Sequence, residues 1–314
     1  MSSTRFQKTP AHYLQYLGLK GLCIVFSLLP YRFCVWLGTF LVGVSRVFLP
    51  KRFKRMQYDI HRAFPEKSPQ EVRQIAINSW RNMGTILAEF IQLSHTSRKK
   101  FKEHCRVEGF EKIQAAEGKT GGIIHIGHFT NWEAFGFAAS VYGADKAVLA
   151  LRADNPYIDE EMNRLRNVFG GRTFYSNHQD QPFFACMRWL KKKKLIGILI
   201  DQNASSSQVW IPFMGRIAAF SPISALLAIK MQVPVFPVQV HREADGMLVC
   251  HIKDPLIPPT EYNPQNVRLF TRQLIEFYEM CLKEDPASWL WAHNLWKRDK
   301  EGEQYLAQHP EEKV

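Results

Sequence analysis

Gly121-Gly122-Ile123-Ile124-His125-Ile126-Gly127-His128-Phe129-Thr130-Asn131-Trp132-Glu133 is the stretch from which the fold is read. Residues 121–126 spell a short apolar strand running into a turn at Gly127. A helix begins at Thr130 or Asn131, either of which supplies an N-cap oxygen, and continues through Ala134, Phe135, Phe137 and Ala138. On one straight helix His128 and Glu133 would stand about 140° apart and would not meet. With His128 in the turn ahead of the helix, they can. The Glu133 carboxylate would then hold one imidazole nitrogen and leave the other as a base. The plainer reading is a core histidine beside a surface glutamate, and the glycine flanks and strand-to-helix setting count against it.

Downstream, strands keep alternating with helices. Residues 147–151 read as a strand ended by the turn Arg152-Ala153-Asp154-Asn155-Pro156. Residues 159–169 read as a helix carrying Arg164 and Arg166 and closing at Gly170-Gly171. A strand at 173–176 and a helix at 182–190 follow, the helix ending in four lysines, 191–194. Residues 195–200 form the clearest buried strand, with Asp201, Gln202 and Asn203 at its carboxyl end, where open α/β sheets build their sites. Then come an apolar loop at 210–215, a helix opened by Ser221-Pro222, paired strands at 235–241 and 247–252 around Ala244-Asp245-Gly246, and an amphipathic helix at 266–282. The tail from Arg298 is polar. Upstream, Ser68-Pro69-Gln70-Glu71 has the form of a capping box before an apolar helical stripe from Val72 to Phe90, and residues 105–110 read as a strand. The expected fold is α/β, a mixed central β-sheet flanked by helices.

Residues 13–49 are dominated by apolar side chains interrupted by Lys20, Arg32 and Arg46 and broken at Pro30. The longest charge-free run, 33–45, is shorter than the roughly 17–25 residues of a span. No small-residue cleavage site follows it, so it does not read as a cleaved signal. Two readings stand: a tilted span with a snorkelling arginine, or helices lying in the interface. Lys51, Arg52, Lys54 and Arg55 follow in a basic link over 50–65 and assign this side to the cytoplasm. The expected division is an N-terminal membrane-anchoring helical segment with its basic flank, 1–55, and a catalytic domain, 56–314.

The 314 residues carry a formal charge of +12, from 41 Lys plus Arg against 29 Asp plus Glu. That excess calls for an acidic partner. No nucleic-acid-binding motif accompanies it, so an anionic membrane surface is expected and nucleic acid is not. The six cysteines form no C-x-x-C pair, which speaks against a zinc or redox motif, and their apolar settings suit buried thiols. His125, His128 and Glu133 do not make the His-Glu-x-x-His arrangement, so no metal and no cofactor is expected, and His125 is read as a core residue.

Gly127-His128-Phe129-Thr130-Asn131-Trp132-Glu133 closely resembles the Gly-His-x-x-Asn-Trp-Glu block of the late acyltransferases of lipid A assembly, the lauroyl and myristoyl transferase family, within the wider His-x-x-x-x-Asp/Glu superfamily of glycerolipid acyltransferases. The resemblance extends over nearly the whole chain. Leu29-Pro30-Tyr31-Arg32 and Ala63-Phe64-Pro65 resemble the family's N-terminal region, and Arg166 with Gly170 its Arg-x-x-x-Gly helix end. Asp201-Gln202 with Ile211-Pro212-Phe213-Met214-Gly215-Arg216 resembles its Asp-Gln and Val-Pro-Phe-Phe-Gly block, with Pro222 and Ala225 in the helix that follows. Trp289-x-Trp291-x-His293 and Trp296-Lys297 resemble its ending, except that Asn294 and Leu295 stand where arginines are usual.

The resemblance implies transfer of a fatty acyl chain from an acyl carrier protein thioester to a hydroxyl of a lipid A precursor, on the cytoplasmic face of the bacterial inner membrane. His128 and Glu133 would be catalytic. Arg166, or backbone N–H groups at the motif helix start, would stabilise the thioester oxygen. Arg152, Arg164 and Arg216 are candidates for phosphate recognition, and Asp201 would orient the acceptor or tune the site. The missing arginines leave open another glycolipid or glycerolipid acceptor. A non-catalytic membrane lipid-binding protein is the alternative from another class. It would account for the N-terminus but not for His128, Glu133 and Asp201 together.

Overall fold

The structure, a computed structural model, describes residues 7–175, 182–204 and 208–313. The chain opens with four helices, α1 (Pro10–Leu28), α2 (Tyr31–Ser45), α3 (Pro50–Ala63) and α4 (Pro69–Ser94). The turn helix α5 (Arg98–Phe101) leads into the alternation of strands and helices: β1 (Cys105–Glu108), α6 (Phe110–Ala116), β2 (Gly122–Ile126), α7 (Trp132–Val141), β3 (Lys146–Ala150), α8 (Pro156–Arg166), β4 (Arg172–Tyr175), α9 (Pro182–Lys191) and β5 (Leu195–Ile198). A hairpin, β6 (Val209–Phe213) and β7 (Arg216–Phe220), precedes α10 (Ile223–Met231), β8 (Val235–Arg242), β9 (Leu248–Ile252), α11 (Pro264–Glu284) and α12 (Asp299–Gln308).

The central sheet has the order β1-β9-β8-β2-β5-β3-β4, parallel throughout except for the antiparallel pair β8–β9. This is the mixed, helix-flanked α/β fold that the sequence implies. Alternation along β2 explains why both faces are covered. Ile123 and His125 turn toward α10 and α11, and Ile124 and Ile126 toward α4 and α7. His125 is a core residue: its Nε2 lies 3.0 Å from the Leu274 carbonyl, and its ring stacks on Tyr278. Burial pushes its imidazole down to about 4, so it is neutral at pH 7.

Local signals hold where they rest on backbone chemistry. Ser68 and Glu71 make the reciprocal capping box of α4, and Asn131, rather than Thr130, caps α7 by accepting from the Ala134 N–H at 3.2 Å. Gly170 and Gly171, both at positive φ, end the chain segment after α8. The strand expected at 173–176 is β4, its last expected residue, Ser176, lying outside the described residues.

Two expectations are corrected, and the polar tail gains a helix. The basic link over 50–65 is the helix α3. Lys51, Arg52, Lys54 and Arg62 face out, Arg55 turns in and donates to the Ala292 carbonyl at 2.6 Å, Met56, Asp59, Ile60 and Ala63 are buried on the inner face, and the helix runs unbroken through residue 55. The apolar loop at 210–215 is the hairpin β6–β7, turned by Met214 and Gly215 at φ 48° and 75°. Pro212 argues against a strand, but this two-stranded ribbon tolerates it. The polar tail folds into α12, with Gly302 and Leu306 buried against the hairpin.

Helix α2 lies against α4 at glycine distance. A Cβ on Gly38 would stand 2.7 Å from the Gly84 carbonyl oxygen, so the backbones are in contact. The opposite sides of α1 and α2 carry exposed Leu14, Leu17, Ile24, Phe33, Trp36 and Phe40. The segment Tyr31–Phe48 is long and apolar enough, by length and composition, to cross a membrane. An apolar surface of this extent marks a membrane or partner contact.

Candidate active site

The sheet register brings His128 and Asp201 together. His125 on β2 pairs with Ile198 on β5, and three further residues on each strand lead to His128 and Asp201 at the carboxyl edge. There His128 Nδ1 donates to Asp201 Oδ1 at 2.7 Å, and the His128 backbone N–H donates to Oδ2 at 2.7 Å. Trp289 Nε1 donates to the same Oδ2 at 2.9 Å. Asp201 is 1% exposed. Burial alone would push its carboxyl up, but the imidazole and the donated hydrogen bonds hold it below the usual carboxylate range. A permanently ionised acceptor on Nδ1 assigns the proton there and leaves the lone pair on Nε2. Gln202 Nε2 stands 3.1 Å from that nitrogen.

The loop is braced from α4. Asn82 Nδ2 donates to the Thr130 carbonyl at 3.0 Å, and Ser79 Oγ to the Trp289 carbonyl at 2.6 Å. Glu89, fully buried, accepts from Asn131 Nδ2, Tyr31 Oη and Arg242. The cap of the motif helix is thereby tied to both α4 and α2. Thr130 holds φ 48° while its N–H donates to the Ser288 carbonyl, a strain sustained by these ties.

Glu133 does not reach the imidazole. It sits in the first turn of α7, as expected, but both its oxygens accept from Arg166 at the end of α8, Oε2 from Nε at 3.0 Å and Oε1 from Nη2 at 2.6 Å. The expectation that Glu133 orients His128 is therefore corrected: the third residue along β5's edge does so. Burial would raise the Glu133 carboxyl, yet Arg166 and then Lys146 hold it low.

A cavity of about 1050 Å³ opens at this edge, lined by His128, Trp132, Glu133, Arg166, Gln202 and Asn203 among polar or catalytic candidates, and by apolar residues from both faces of the sheet, including Ile124, Phe135, Val148, Phe183 and Leu226. Arg152, Arg164 and Arg216 do not line it. Arg152 lies 3.7 Å from Asp159 and over the Tyr175 ring. Arg164 pairs with Glu161 at 2.7 Å. Arg216 is buried between Asp59 and Asp299, each at 2.7 Å, and clamps α3 and α12 to the hairpin. Lys191 ends α9 and the lysines at 192–194 lead into β5, hence this run stands at the amino edge of the sheet, opposite His128. Among the described residues no group of three or more His, Cys, Asp or Glu side chains is disposed to hold a metal ion. Gln202 and Trp289 were missed as site residues. The signal for Gln202 was its place in the Asp201-Gln202 motif and that for Trp289 its place in the Trp289-x-Trp291-x-His293 ending, neither of which names a contact with Asp201 or His128.

The family described as Bacterial lipid A biosynthesis acyltransferase matches residues 2–298. The chain belongs to that family. It is 25% identical over 301 residues to the lipid A biosynthesis lauroyltransferase of Escherichia coli (strain K12), covering 93% of this chain and 94% of that protein. It is 26% identical over 301 residues to the lipid A biosynthesis palmitoleoyltransferase of the same organism, covering 95% of each. Among solved structures, the 1-acyl-sn-glycerophosphate (LPA) acyltransferase from Thermotoga maritima matches at 13% identity and a TM-score of 0.35, over 79% of this chain and 95% of that one.

As a member of the lipid A acyltransferase family the protein is an enzyme that transfers acyl groups, and a lipid A precursor is the acceptor that membership implies. It is membrane-associated, in keeping with the apolar faces of α1 and α2. Of the two residues that stand where the resemblance has arginines, Leu295 is fully buried in the core and Asn294 is half-buried.

Proposed function

We propose that this acyltransferase moves a fatty acyl chain from an acyl carrier protein thioester to a hydroxyl of a lipid A precursor, with His128 as general base. The observation that carries the reading is His128 itself, with Nδ1 fixed by a buried carboxylate and Nε2 in a largely apolar cavity of chain-holding size. An alcohol is a poor nucleophile at neutral pH. Its proton passes to Nε2 as the new C–O bond forms, the C–S bond breaks, and the leaving thiolate takes the proton back from the imidazolium. Asp201 stays ionised and stabilises the imidazolium. Arg166, held in place by Glu133, faces the charge that develops on the thioester oxygen. Incubation with defined lipid A precursors and carrier-protein thioesters, followed by weighing of the products, tests the reaction.

The donor follows from charge. Acyl carrier proteins are acidic and this chain carries +12, so association is steered electrostatically and weakens with salt. Transfer at subsaturating donor is expected to fall steeply between low and physiological ionic strength. Rates indifferent to salt, or equal rates from the coenzyme A thioester, would argue for another donor.

The same reading puts the enzyme on the cytoplasmic face of the inner membrane, with α1 and α2 against the bilayer and the exposed Lys51, Arg52 and Lys54 of α3 at the headgroups. Trp36 and Phe40 stack on each other 5.7 Å apart, both more than half exposed. Trp36→Glu with Phe40→Glu is expected to shift the protein from the membrane pellet to the soluble fraction at unchanged melting temperature. A double variant that pellets as fully as wild type would show that this face does not hold the membrane.

A further inference from the structure

We propose that Lys146 makes the cavity select an acyl chain that bears a hydroxyl group near its thioester end. The inference rests on reading the cavity as the acyl site. Lys146 opens β3 on the face that meets α7, and it lines the cavity among Ile124, Val148 and Leu195. It is 4% exposed. Its Nζ has no hydrogen-bond partner among the described residues. The nearby carboxylate, Glu133, already accepts from Arg166 with both oxygens. An amine in an apolar wall with no acceptor is costly to bury.

The position of the amine says which part of the chain it meets. Register pairs Lys146 with Leu195 at the start of β5, so its Cα lies about 13 Å below the carboxyl edge of the sheet. The side chain reaches back toward α7. A Cβ on Gly136 would stand 3.8 Å from Nζ, and Gly136 lies three residues, about 4.5 Å along the helix, beyond Glu133. Nζ therefore sits about one helical turn below the Glu133–Arg166 pair, level with the first few carbons of a chain whose carbonyl faces Arg166. Burial brings the amine down to about 8, so both protonation states are populated near neutrality. A hydroxyl suits both, accepting from the ammonium and donating to the amine. An unsubstituted alkyl chain displaces water from the amine and returns no hydrogen bond.

The full-length protein is offered an equimolar mixture of carrier-protein thioesters of one chain length, unsubstituted, 2-hydroxy and 3-hydroxy, with a lipid A precursor, and the products are weighed. A hydroxylated chain is expected to be favoured roughly 5- to 100-fold. Lys146→Met should abolish the preference and speed transfer of the unsubstituted chain, and Lys146→Gln, which keeps a donor, should retain part of it. A lysine that serves only to balance Glu133 would instead change all chains equally, and that result overturns the proposal. So does a wild-type enzyme that ignores or disfavours the hydroxyl, a measurement that needs no variant to fold. If no thioester is transferred by folded wild-type protein, the acyl reading of the cavity fails first and this inference with it.

Discussion

His128→Ala is expected to lower the single-turnover transfer rate about 10²–10⁴-fold, and Asp201→Asn nearly as far. The second expectation is the more informative. Oδ2 of Asp201 accepts from both the His128 N–H and Trp289 Nε1, and Oδ1 accepts from His128 Nδ1. An asparagine cannot serve all three donors. With its amide nitrogen in the Oδ2 position it faces two N–H groups. Turned over, it donates to Nδ1, drives the imidazole proton onto Nε2 and removes the base. Because the two residues act as one unit, the double variant should be little slower than His128→Ala alone. Melting temperatures and the tautomer reported by imidazole ¹⁵N shifts are measured beside the rates. A folded Asp201→Asn enzyme with wild-type rate and an Nδ1-protonated ring would remove Asp201 from the mechanism.

The strand-turn-helix around His128 was legible because each step rests on neighbours in sequence: an apolar strand, a glycine, an Asx cap. The placement of Asp201 at a strand end was legible too, but its partner was not. Which carboxylate meets His128 depends on the pairing of β2 with β5, more than seventy residues away by the 2.7 Å bond between positions 128 and 201, and period-2 patterns carry no register between distant strands. Local spacing favoured Glu133, and the structure gives Glu133 to Arg166 on α8. Helix α3 was hidden by its charges, although Met56, Ile60 and Ala63 recur at helical spacing. Arg216 was singled out by its motif, and only the fold shows Asp59 and Asp299 converging on it.

Glu133→Gln is expected to destabilise the protein by about 3 kcal/mol. That is the lower end of the range for breaking a buried ion pair, because Glu133 and Arg166 retain 14% and 18% side-chain exposure. The amide still offers one oxygen to Arg166 but leaves its charge uncompensated beside Lys146. Glu133 also sets the charge state of that lysine. Its carboxylate raises the amine against burial, so the substitution lowers the amine further below about 8 and increases its neutral fraction at pH 7. The pH dependence has a definite sign. The folded Glu133 carboxyl lies below its usual value, so its contribution is fully present above an unfolded value of about 4.3 and is lost as pH falls through the lower folded one. The gap in unfolding free energy between wild type and Glu133→Gln should therefore narrow below about pH 4.3. Removing both charges, as Glu133→Leu with Arg166→Met, should recover much of the stability. Transfer should then stay impaired if Arg166 stabilises the thioester oxygen. Denaturant unfolding at several pH values, with single-turnover rates on the folded variants, separates these effects. A rate loss in Glu133→Gln that is as large as in His128→Ala, and not deepened when these two substitutions are combined, would instead couple Glu133 to the imidazole.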